Sequence, residues 1–159
     1  MSDLQVGDKA PDFSVPADNG ETLSLSDFSG QTLVLYFYPK DDTPGCTKEA
    51  CAFQENLSAF NGINAAVVGV SKDKIAKHQK FKEKYDLDFP LVSDEEGTLC
   101  EAYGTWVEKS MYGKKYMGID RATFIIDGTG TITHIWRKVK VPGHVDAVLS
   151  AVQEMKEAA

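Results

Sequence analysis

Cysteine is scarce in this chain, and its count is odd. Three cysteines, Cys46, Cys51 and Cys100, stand among 159 residues. An odd count makes a poor disulfide framework, and a chain this long can bury a core without one. Long apolar runs are missing as well. Nothing approaches the roughly 20 residues that span a bilayer, so no membrane role is expected. The opening Met1-Ser2-Asp3-Leu4-Gln5 has neither the basic nor the apolar region of a secretory signal. Positive charge is in deficit: 17 Lys and Arg face 24 Asp and Glu, for a net charge of −7. That argues against nucleic-acid or anionic-membrane binding, which would call for a basic face. Repeats, low-complexity tracts and linkers are also lacking. These absences predict one soluble domain over residues 1–159 in the cytoplasm. Its cysteines are then core residues, metal ligands or catalysts.

The residues that are present give a clear element pattern. After an extended lead-in to Asp12, short strands are predicted at Phe13–Pro16 and Thr22–Leu25, about the turn Asp18-Asn19-Gly20. Thr32–Tyr38 is a continuous apolar run rich in β-formers, as in a strand buried on both faces. Residues 43–60 read as a helix, 65–71 as a second buried strand and 75–85 as a helix with Ile75, His78, Phe81 and Tyr85 on one face. A short strand at 89–93 and a short helix at 98–103 follow. Strands at 123–127 and 131–136 flank Gly128-Thr129-Gly130, and a C-terminal helix carries Val145, Val148, Leu149, Val152 and Met155 at helical spacing. The order β-α-β-α-β-β-α behind a small N-terminal β-hairpin predicts an α/β protein. Its central mixed β-sheet is flanked by helices, the element order of the thioredoxin fold.

Chemistry concentrates in Tyr38–Phe53, YPKDDTPGCTKEACAF. This segment leaves a buried strand and opens a helix, at a carboxyl-end loop where α/β sheets place their sites. Thr43 suits the N-cap and Pro44 the first helical position, which puts Cys46 third, inside the first turn. Unpaired amide N–H groups and the positive end of the helix dipole favour a thiolate there. Asp41, Asp42 and Glu49 work against that thiolate, while Lys40 and Lys48 favour it. Arg121 is the candidate for a cation supplied from elsewhere. Cys46 tops a stripe with Ala50, Phe53, Leu57 and Phe60, whereas Cys51 lies about 140° away among Thr47, Gln54, Glu55 and Ser58. A cysteine on a polar helix face is reactive surface.

Other uses stay open at this point. Thiol–disulfide oxidoreductases usually carry Cys-x-x-Cys, and here four residues intervene. Metal binding or redox sensing calls for paired ligand spacing, which the cysteines lack. His78, His134 and His144 show no convergent pattern and read as surface or packing residues. Cys100 reads as core, as do most of Tyr36, Phe37, Tyr38, Trp106 and Trp136, although these aromatics could line a pocket.

The stretch Pro39-Lys40-Asp41-Asp42-Thr43-Pro44-Gly45-Cys46 resembles the peroxiredoxin pattern P-x-x-x-T-x-x-C. The second cysteine five residues on is similar to the atypical two-cysteine peroxiredoxins of the bacterioferritin-comigratory type. Gly7–Phe13, Phe89–Asp94, Ala102-Tyr103-Gly104 and Arg121–Asp127 resemble the family's other motifs, in order along nearly the whole chain. The resemblance implies a thioredoxin fold and reduction of hydrogen peroxide and organic hydroperoxides without a metal or organic cofactor. It implies that Cys46 is the peroxidatic cysteine and Cys51 its resolving partner in an intramolecular disulfide. Thr43 and Arg121 would orient peroxide and stabilise the thiolate, and Pro39 would shield the pocket. It further implies a monomer recycled by thioredoxin or a glutaredoxin-type dithiol reductant.

Overall fold

The computed structural model describes residues 4–158, so the predicted lead-in lies partly outside the described residues at Met1–Asp3. A β-hairpin comes first, β1 (Ser14–Pro16) paired antiparallel with β2 (Thr22–Ser24). The central sheet is built from β3 (Thr32–Phe37), β4 (Ala65–Ser71), β5 (Leu91–Ser93), β8 (Ala122–Ile126) and β9 (Ile132–Trp136), in the order β5-β4-β3-β8-β9. β3 runs parallel to β4 and antiparallel to β8, so the sheet is mixed as expected.

Every residue of β3 is buried, because both faces of the sheet are covered. Side chains alternate across a strand, and β3 divides accordingly. Val34 and Tyr36, with Tyr38 just past the strand, join a core with α1 (Pro44–Glu55), α2 (Leu57–Gly62) and α5 (His144–Ala158). Leu33, Leu35 and Phe37 join the opposite core with α4 (Thr98–Ala102) and the N-terminal segment. A further helix, α3 (Ile75–Tyr85), follows β4 and has the predicted bounds; it contributes Phe81 to the first of these cores.

Two departures from the sequence reading have local causes. The predicted helix over 43–60 divides at Asn56, where φ is −104° and ψ 6°. The Asn56 amide donates to the Ala52 carbonyl at 2.9 Å, a side chain competing with the backbone ladder. The stretch between 104 and 121, unassigned from sequence, forms a separate hairpin of β6 (Trp106–Met111) and β7 (Lys114–Ile119). Its turn, Tyr112-Gly113, has positive φ at both residues, as a tight two-residue hairpin turn requires. No described helix is long and apolar enough to cross a membrane.

Candidate active site

The register of the sheet assembles the site. Phe37, last in β3, pairs with Ala122, first in β8. Arg121 therefore stands at the carboxyl end of β3, where the chain turns through Pro39–Thr43 into α1. Cys46 occupies the third position of that helix and is 1% exposed. Arg121 Nη2 donates to Cys46 Sγ at 3.3 Å, and Nη1 to Glu49 Oε1 at 2.7 Å. Sequence proximity placed none of this: Arg121 is 75 residues from Cys46.

Glu49 was counted from sequence as a charge opposing the thiolate. The structure gives it a different place. It is fully buried one turn below Cys46, and its Oε2 has no hydrogen-bond partner among the described residues. Burial pushes its carboxyl up to about 7, although Arg121 pulls the other way. Burial also opposes the charge on Arg121, but Glu49 and Cys46 more than offset it and hold the guanidinium above its ordinary range. Tyr36, on β3 beneath the helix, likewise has an unpartnered hydroxyl. Burial and then the charge of Glu49 push it well up. A buried acid paired to the arginine could have been suspected from the i, i+3 spacing of Cys46 and Glu49 on one helix face.

Thr43 takes the N-cap position, with extended backbone, but its hydroxyl does not cap the helix. It donates instead to the Lys40 carbonyl at 2.9 Å. This corrects the expectation of a side-chain cap, and the hydroxyl is used to tighten the loop. Pro39 is exposed on the same loop. The opposing acids of this loop are all engaged: Asp42 binds Lys84 at 2.9 Å and Tyr85 at 3.0 Å. Asp41 is buried between Tyr38 Oη at 2.5 Å and His78 Nδ1 at 2.6 Å.

His78 therefore converges with Asp41, contrary to the sequence reading of unconnected histidines. Its Nε2 faces the Val92 carbonyl at 2.9 Å. Asp73 completes the cluster by accepting from Asp41 N–H at 2.8 Å and from the Ser71 hydroxyl at 2.7 Å. Asp41, Asp73 and His78 bring ligand-type atoms within 4.8 Å of one another. Asp41 and His78 bond each other, and the Asp73 carboxylate is taken up by the Asp41 N–H and Ser71, so the cluster is a hydrogen-bond network that pins the loop to α3 and β5.

Cys51 is half-buried on the same helix, and all three cysteines are free. Burial, and then Glu55, push the Cys51 thiol up. Cys100 is fully buried, and burial followed by the Asp94 charge pushes its thiol far up. That agrees with a packing residue. Lys109 of β6, not singled out from sequence, adds a second cation near the site; burial pushes it down while Asp120 and Cys46 pull it up.

A buried cysteine in the first turn of a helix, with a guanidinium at its sulfur, on this α/β scaffold defines a thiol-dependent redox protein. Comparison with known proteins narrows the class. Residues 6–135 match the AhpC/TSA family model. The putative peroxiredoxin bcp of Coxiella burnetii is 54% identical over 92% of this chain and 97% of its own length. Peroxiredoxin Bcp of Bacillus subtilis is 49% identical over 97% of this chain and 98% of its own. A cysteine-to-serine mutant of PrxQ from Xylella fastidiosa superposes with a TM-score of 0.92 at 41% identity, covering 98% of this chain and 99% of that one. The bacterioferritin comigratory protein of Xanthomonas campestris, described with alkyl peroxide reduction activity, superposes at 0.87 with 42% identity, over 91% and 92% of the two chains. The chain belongs to the AhpC/TSA family and is a peroxiredoxin of the Bcp type, with a thioredoxin-like fold. It is a thiol-dependent peroxidase whose substrates are a peroxide and a thiol reductant.

Proposed function

We propose that Cys46 is the sulfur that attacks peroxide and that Cys51 resolves the product. The observation that carries this reading is the Arg121 Nη2–Cys46 Sγ contact at 3.3 Å in the first turn of α1. A cation and free helix N–H groups there favour the nucleophilic thiolate and stabilise charge on the departing oxygen. The thiolate attacks one peroxide oxygen, and the other leaves as water or alcohol. The Cys46 sulfenic acid condenses with the Cys51 thiol, releasing water and forming the disulfide. A dithiol protein, thioredoxin or of glutaredoxin type, restores both thiols by exchange. Thr43 shapes the loop that receives peroxide, and Pro39 covers its mouth. Hydrogen peroxide and organic hydroperoxides both fit this chemistry. The reading extends to one peroxiredoxin domain over residues 1–159, acting as a cytoplasmic monomer.

Steady-state turnover of hydrogen peroxide and an alkyl hydroperoxide, with thioredoxin and glutaredoxin systems compared, tests this reading. Cys46→Ser abolishes peroxide consumption. Cys51→Ser consumes about one equivalent and then stalls with dithiol donors. Substantial turnover in Cys46→Ser overturns the nucleophile assignment, and full cycling in Cys51→Ser overturns the resolving role.

A further inference from the structure

Two acids share one cation beneath the reacting sulfur. Arg121 contacts Cys46 Sγ at 3.3 Å and Glu49 Oε1 at 2.7 Å, and Cys46 and Glu49 are both almost completely buried. The other titratable groups around the pair come from every neighbouring element. Tyr36 lies on β3, with its hydroxyl unpartnered. Asp41, in the loop after β3, is tied to His78 of α3. Lys109 reaches in from β6, with Arg121 and Cys46 both bearing on its charge. His144 stands at the start of α5, where burial and then the Arg121 charge hold it neutral at pH 7. Among the described residues, Arg121 is thus the one cation bonded to both acids. If Cys46 and Glu49 were both ionised, two buried negative charges would share a single bonded cation, and Glu49 Oε2 would be a carboxylate oxygen without a donor among the described residues.

We propose that Glu49 is the general acid of the peroxide step: it holds the site's proton while Cys46 is a thiolate and gives it to the departing oxygen. The proposal rests on Cys46 being the reacting sulfur. The thiolate attacks one oxygen of ROOH, a sulfur–oxygen bond forms, and the O–O bond breaks. Its electron pair leaves on RO⁻, sulfur is oxidised to Cys46–SOH, and the peroxide is reduced. RO⁻ takes the Glu49 proton and departs as ROH. Before the step, Arg121 neutralises the thiolate. Afterwards it neutralises the Glu49 carboxylate, and its other partner is an uncharged sulfenic acid. The site's net charge stays constant throughout, which a buried setting favours. Both acids hydrogen-bond the same guanidinium, which links the carboxyl to the sulfur from which the oxygen departs. The carboxyl's proton affinity, raised by burial to about 7, suits a donor working near neutral pH.

Infrared difference spectroscopy on Cys51→Ser, before and after one equivalent of hydrogen peroxide, reads this proton directly. Expected is loss of a protonated-carboxyl C=O band in step with sulfenic acid formation, as followed by mass spectrometry of a sulfenic-acid probe adduct. Glu49→Gln in the same background keeps an acceptor for Arg121 and lacks the band. Its single-turnover peroxide step slows by about 100-fold at pH 7, the scale of lost proton transfer. Sulfenic acid formation on Cys46 without any change in a carboxyl band overturns the proton role and leaves the Cys46 assignment standing. Absence of sulfenic acid on Cys46 overturns both.

Discussion

A Cβ placed on Gly45 would stand 3.1 Å from Nη2 of Arg121. The residue before Cys46 is small because the guanidinium must pass over it to reach the sulfur. Arg121 cannot simply swing aside, since Nη1 is held by Glu49 at 2.7 Å. Gly45→Ala should therefore move Nη2 off Cys46. The same change adds a better helix former to the first turn of α1, worth up to about 1 kcal/mol. The expected outcome is a protein of equal or higher melting temperature whose peroxide step is about ten-fold slower, one lost charge-assisted contact. Stopped-flow oxidation and calorimetry on the same sample check it. Wild-type rates would mean that Arg121 reaches the sulfur by another path.

The pair Asp41–His78 makes a different prediction, about the loop's anchor. The Val92 carbonyl only accepts, so His78 Nε2 carries a proton, and one further proton lies between Nδ1 and Asp41 Oδ2. Both side chains are fully buried. His78→Phe leaves Asp41 with a buried charge and one partner fewer. Breaking such a pair costs about 3–5 kcal/mol, or roughly 10 °C in melting temperature for a chain of this size. Asp41→Asn combined with His78→Phe should recover part of that loss, because no charge is then stranded. Thermal unfolding of the single and double variants decides the matter. Additive losses would show that the two side chains are not coupled.

His144 sets the acid limb of stability. It is buried at the start of α5, with Nε2 at 2.8 Å from the Thr123 hydroxyl. Burial, helped by the Arg121 charge, pushes its imidazole down to about 4. The folded protein therefore keeps it neutral at pH values where the unfolded chain takes up a proton. Its contribution is complete above the ordinary histidine range near 6.5 and is lost as pH falls through about 4. The loss amounts to about 3 kcal/mol at most. Glu49 acts with the opposite sign: the fold retains its proton up to about 7, so its share of stability falls as pH rises from 4.5. Urea titrations of wild type and His144→Gln, taken as a difference, cancel the Glu49 term. The difference should narrow steadily from pH 7 to pH 4, and a constant difference would remove His144 from the account.

Periodicity made the buried strands and α3 legible, because a run such as Thr32–Tyr38 and a stripe such as Ile75-His78-Phe81-Tyr85 each state their burial directly. Pro44 likewise marked the start of the helix that carries Cys46 and Cys51. The hairpin β6–β7 was harder. It packs outside the central sheet and leaves Met111, Tyr112, Tyr116 and Met117 exposed, so no clean apolar alternation marks it. Its one signal was Gly113 at a tight turn. Arg121 was the candidate for a distant cation, while its pairing with Glu49 needed the register Phe37–Ala122, a long-range pairing that no local pattern encodes. His78 was missed as a network member for the same reason, since its partner Asp41 is 37 residues away.

Closing a Cys46–Cys51 bond requires motion in α1. Cys46 and Cys51 both lie within Pro44–Glu55, a single α-helix, and neither sulfur is bonded. In an ideal helix, residues five apart rise about 7.5 Å and point about 140° from each other, so their Cα atoms are about 8.7 Å apart. A disulfide needs Cα atoms within about 7 Å and converging Cβ vectors. The bond therefore cannot close while both residues stay helical, and the first turns must open. Cys51 has its own reason to move. Its half-buried thiol is held protonated by burial and by Glu55, and a more open chain lifts both restraints. The helix start is suited to opening, because its first N–H groups have no intrahelical partners and Thr43 spends its hydroxyl on Lys40 rather than on a cap. The reduced protein should then show residues 46–55 protected from hydrogen exchange. The disulfide form should show most of that protection lost, with the central strands unchanged. Equal protection in the two forms, with the Cys46–Cys51 bond verified by mass spectrometry, would show that the helix does not open and that the bond forms by some other distortion.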